Sequence, residues 1–139
     1  MELRSRTVWP ARPRETLFLA VVDVGLIALL VVGGVIDHGG NPLAAPLSTV
    51  ETILPFVLGW LALSPLAGAY RAGIGRDPAR AARVAAVSWI AAANVGLILR
   101  SSPLFDGGSG WPFNLIMTGL GLLLLVGWRV GYAAVTDSR

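Results

Sequence analysis

The sequence predicts an all-α, integral-membrane four-helix bundle, and three observations carry that prediction. The chain of 139 residues is 55% hydrophobic and 14% charged, against about 45–50% and about 25% in soluble domains. Its mean hydropathy is +0.70. Its apolar residues fall into four runs, each near the length of about 20 helical residues that crosses a bilayer core. A soluble bundle would show polar faces on these helices; the runs are apolar all round.

The first span is predicted over 17–36 (Leu17–Ile36) and is broken only by Asp23. It follows a basic segment but exceeds the apolar core of about 7–15 residues of a signal peptide, and no Ala-x-Ala site follows. It therefore reads as a signal anchor. The segment 37–51 holds His38-Gly39-Gly40-Asn41-Pro42 and Pro46, which is loop chemistry. The second span is predicted over 52–70. Within it Pro55 reads as a first-turn residue, and Pro65 frees the Leu61 carbonyl and predicts a kink. Gly73, Gly75 and Pro78 mark the next segment as a loop. The third span is predicted over 81–99, with Asn94 as its strongly polar residue. Pro103 and Gly107-Gly108-Ser109-Gly110 mark another loop, and the fourth span, 113–135, is broken by Arg129. The whole of 1–139 reads as one transmembrane domain running up-down-up-down.

Arginine placement sets the orientation. All eleven cationic residues are arginine. Ten lie before the first span, around the loop between the second and third, or near the end of the fourth; Arg100 alone lies opposite. Arginine and lysine are retained on the cytoplasmic side, so both termini and the middle loop are predicted to be cytoplasmic, in a cell membrane. This bias, with attraction to anionic lipid, accounts for the net charge of +3 without nucleic acid. The predicted partners are the lipid bilayer and either further copies of the chain or a larger membrane complex.

Two absences exclude function classes. Without cysteine there is no disulfide framework, thiolate nucleophile, iron–sulfur ligation or redox pair. Without lysine there is no Schiff base and no P-loop. A single histidine rules out bis-histidine haem ligation within one chain. No cofactor and no metal site is expected.

Ionisable groups inside a span are costly and mark candidate sites. Asp23 and Arg129 each lie about six residues from the cytoplasmic end of their spans, at about 9–10 Å depth. The first and last helices of such a bundle are neighbours, so the two charges are expected to pair. The pair reads either as a staple fixing helix register or as a proton or ion site. Asn94 is expected to hydrogen-bond a neighbouring helix, and Thr118 lies on nearly the same helical face as Arg129. Ser88, Ala92 and Gly96, like Gly127 and Gly131, form small-residue stripes that admit close helix packing. Trp9, Trp111 and Tyr132 read as interfacial residues, and Trp60 and Trp89 as packing or lipid contacts. On the outer rim, Asp37, His38, Glu51, Arg100 and Asp106 form a polar cluster, read chiefly as ion pairing by Arg100.

The order and spacing of several strings carry a resemblance. They are Asp23 followed by Gly33-Gly34-Val35-Ile36-Asp37-His38-Gly39, then Pro55-Phe56-Val57-Leu58-Gly59-Trp60, then Trp89 with Asn94-Val95-Gly96-Leu97-Ile98-Leu99-Arg100, and last Gly127-Trp128-Arg129. From about Thr16 to Arg129 the chain resembles a small prokaryotic membrane-protein family, domain of unknown function 3054. It departs from a common form of the first signature, which has arginine after the glycine. The resemblance implies a four-span membrane protein and brings no activity.

Three function classes follow. The first is a non-enzymatic structural or accessory membrane component, which needs no catalytic group. The second is a small proton- or ion-coupled transporter using Asp23. The third is a membrane enzyme acting on lipid or quinone through the outer cluster.

Overall fold

The computed structural model describes residues 13–105 and 113–137. They form four helices, α1 (Pro13–Asp37), α2 (Pro46–Ala67), α3 (Pro78–Arg100) and α4 (Phe113–Asp137), with a single 3-10 turn at Ile74–Arg76. All four helices are long and apolar enough to cross a membrane. Trp9, Trp111, Asp106 and the Gly107–Gly110 tract lie outside the described residues.

The distribution of apolar side chains is inverted relative to a soluble domain. Leu29 and Leu123 are 68% and 72% exposed, and large aliphatics are exposed along all four helices. Polar Asp23, Ser64, Ser88 and Arg129 are buried. A surface so rich in continuous apolar area does not suit water. The core is aromatic: Phe56, Trp60 and Trp89 are fully buried among Ile27, Val31 and Leu125.

Three helix starts and one end differ from the sequence reading: α1 begins at Pro13 instead of 17, α2 and α3 also begin early, and α2 ends at Ala67 instead of 70. The α2 helix begins at Pro46, so Pro55 lies inside it instead of in its first turn. Pro46 fills the position where a missing N–H costs nothing, and the Thr49 and Thr52 hydroxyls donate to carbonyls one turn back. Ser48, Thr49 and Glu51 keep residues 46–51 from reading as part of an apolar run. The α3 helix begins at Pro78 because Asp77 caps it, accepting from the Arg80 backbone N–H at 3.1 Å.

Close packing follows the glycines. A Cβ on Gly59 would stand 2.6 Å from the Ala92 carbonyl oxygen, and one on Gly96 would meet the Phe56 ring at 2.6 Å. The Ser88, Ala92, Gly96 stripe is therefore the seam between α2 and α3. Towards α4, Gly121 leaves room for the Trp89 indole, which donates to the Thr118 carbonyl at 3.0 Å. Gly127 and Gly131 are different: nothing lies within 4 Å of where their Cβ atoms would be. Their stripe faces outward and joins no pair of helices within the chain. The α1 helix completes the ring by touching both α2 and α4.

Candidate functional site

Asp23 is fully buried in α1, and Arg129 in α4 is 3% exposed. The structure brings them together with two contacts: Nε donates to Oδ1 at 3.0 Å and Nη2 to Oδ2 at 2.5 Å. This is the side-by-side geometry that makes an arginine–carboxylate pair both strong and directional. The remaining donor terminus is used as well, since Nη1 donates to the Ala69 carbonyl at 2.8 Å.

Two more donors reach Asp23, and the sequence reading had named neither for this role. Trp128 Nε1 donates to Oδ1 at 3.0 Å. The Tyr70 hydroxyl donates to Oδ2 at 2.8 Å and itself accepts from Trp60 Nε1 at 2.8 Å. The carboxylate thus receives four hydrogen bonds, about its full capacity. The Arg129 guanidinium also lies over the Tyr70 ring, 5.1 Å from its centroid, a favourable cation–π placement.

The local sequence explains how Tyr70 arrives. The α2 helix ends at Gly68, whose φ of 94° favours glycine. The Gly68 N–H bonds the Pro65 carbonyl and the Ala69 N–H bonds that of Ser64, the paired closure of a Schellman motif. The reversal turns the Ala69 carbonyl and the Tyr70 hydroxyl towards Arg129 and Asp23. Trp128 is steadied from outside by Phe18 and Tyr132, at ring separations of 5.9 and 5.3 Å. Tyr132 therefore packs within an aromatic group, and its hydroxyl lies 3.4 Å from Glu15.

The other predicted polar residues do not join this cluster. Asn94 is exposed, and its amide donates to the Ile90 carbonyl of its own helix at 2.7 Å. The expected bond to a neighbouring helix is therefore corrected. The reason is rotational: at 100° per residue Asn94 lies about 200° from Ala92, which faces the α2 seam. Thr118 contributes its backbone carbonyl to Trp89. Trp60 and Trp89 are both buried hydrogen-bond donors and neither is a lipid contact.

At the opposite end, Asp37, His38 and Glu51 are exposed and Arg100 is half-buried. His38 and Arg100 line one cavity of about 290 Å³ with Thr52, Met117 and apolar residues of α1. Asp37 and Glu51 do not line it. Among the described residues no three His, Asp or Glu side chains gather in a way that could hold a metal ion.

The fold and this cluster define a class: four apolar, span-length helices joined by a buried acid–base pair. Within it, the chain belongs to the family described as "Protein of unknown function (DUF3054)", whose model matches residues 20–132. The matched stretch contains Asp23, Tyr70, Trp128 and Arg129. No curated protein and no solved structure matches the chain.

Proposed function

We propose that the protein is a non-enzymatic, four-span structural or accessory component of a prokaryotic cell membrane, in which Asp23 and Arg129 lock the helices together. One observation carries this reading: every lone-pair direction of the buried Asp23 carboxylate is used by a donor of its own chain. A coupling site must release and rebind its proton or ion. Here a proton or ion could reach the carboxylate only by displacing donors of the chain itself, and displacing Arg129 would leave a buried guanidinium unpaired.

The spans run up-down-up-down with both termini in the cytoplasm. The arginine bias supports this. So does the convergence of Glu15 of α1, Tyr132 of α4 and Gly75 of the α2–α3 segment, which meet in one place.

The test is reconstitution in vesicles with an imposed pH gradient. The wild type and Asp23→Asn are expected to carry no proton flux, while Asp23→Asn unfolds far more readily in detergent. Flux that is present in the wild type and lost in Asp23→Asn would overturn the proposal in favour of transport.

A further inference from the structure

The exposed side of α3 is an apolar stripe with a polar interruption. Val87, Ile90 and Ile98 are 59%, 45% and 69% exposed, and Asn94 stands among them. A carboxamide has two N–H groups and an acceptor oxygen. One N–H is spent on the Ile90 carbonyl, and no other hydrogen bond joins Asn94 to the described residues. Asn94 is six residues from the end of α3 at Arg100, about 9 Å along the axis. Its side chain is too short to reach the headgroups from there, as arginine or lysine would. On the membrane reading proposed above, an N–H and a carbonyl oxygen therefore face hydrocarbon, where water offers no partner.

We infer that a second copy of this chain covers the stripe, α3 against α3, with the two Asn94 carboxamides hydrogen-bonded across a two-fold axis along the membrane normal. Three arguments select this occupant. A carboxamide donates and accepts, so its best complement is another carboxamide. A two-fold axis places each residue near its own counterpart, and the arginine bias inserts every copy the same way up, so both Asn94 residues lie at one depth. Finally, Val87, Ile90, Asn94 and Ile98 recur at steps of three, four and four residues, a spacing that keeps all four on one face of a straight or slightly right-handed helix pair. An asparagine at such a contact hydrogen-bonds across the two membrane helices. Arg83, at the wet end of the stripe, marks where the apolar seam stops.

The chain has no cysteine, so single thiols can report on the contact. The full chain is placed in vesicles carrying Val87→Cys or Ile98→Cys on the seam, or Leu58→Cys or Leu123→Cys on exposed faces of α2 and α4, and oxidised with copper phenanthroline. Disulfide-linked dimers are expected from the two seam positions and not from the other two. Adding Asn94→Leu is expected to weaken association about three- to thirty-fold, the range measured for polar contacts between membrane helices. Asn94→Gln retains association and guards against a folding defect. Equal cross-linking at all four positions, cross-linking to another protein only, a monomer, or an Asn94→Leu variant that pairs like its parent each overturns the inference. A chain stripped from the membrane by alkaline carbonate overturns the membrane reading as well; a membrane-held monomer overturns this inference alone.

Discussion

At one end of the bundle an acid and a base are buried with every side-chain nitrogen and oxygen of the pair hydrogen-bonded; at the other, a histidine and an arginine line a cavity. Both ends draw on the same few residue types. The difference lies in what surrounds them. Around Asp23 the chain supplies Trp60, Tyr70, Trp128 and the Ala69 carbonyl, so that no polar atom of the pair depends on solvent. Around His38 it supplies glycines and aliphatic walls, and the side chain stays exposed. Polar residues at a helix end can be satisfied by water and need no such cage; the same residues farther along the helix must bring their own.

The largest expected effect tests that difference directly. Arg129→Ala leaves a buried carboxylate without its counter-charge and is expected to cost about 3–5 kcal/mol of unfolding free energy, read by denaturant titration in mixed micelles. Arg129→Lys should recover only part of it, since an ammonium cannot make both side-by-side contacts and reach Ala69. Next, Tyr70→Phe removes one donor to the carboxylate and strands the Trp60 indole; about 1.5–3 kcal/mol is expected. Gly121→Ala, which drives a methyl into the Trp89 indole, should cost about 1–3 kcal/mol and serves as a packing yardstick without charge. Smallest of all, His38→Ala is expected to change stability by no more than about 0.5 kcal/mol. A loss there equal to that of Arg129→Ala would dissolve the contrast.

Some of this was legible in the sequence, for identifiable reasons. Four spans follow from length and hydropathy. The meeting of Asp23 and Arg129 follows from two charges at matched depth in helices that a short-looped bundle makes neighbours. Tyr70 was not legible as a partner because the second span was predicted to run to residue 70, whereas α2 ends at Ala67 and Tyr70 reaches Asp23 through the Gly68 reversal, where helical periodicity does not apply. Trp128 was masked by ambiguity: a tryptophan near a span end has an ordinary interfacial role. Asn94 was placed on the wrong side although the signal was present. If Ser88, Ala92 and Gly96 face a neighbour, a residue two positions from Ala92 and from Gly96 must face away. In a helix apolar all round, hydropathy alone could not choose between those faces.

The separation of 106 residues between Asp23 and Arg129 also has a consequence in time. Chains are made at about 5–20 residues per second, so α1 waits about 5–20 s for its guanidinium. During that interval the nascent protein holds an acidic residue in its first span, at an insertion cost of about 2.5–3.5 kcal/mol for an aspartate near a helix centre, offset by the leucines and valines around it. Its counter-charge arrives only when α4 docks. A chain halted before α4 would keep that orphaned acid indefinitely. The contact that ties α1 to α4 is thus one that only a chain extended through its fourth helix can make.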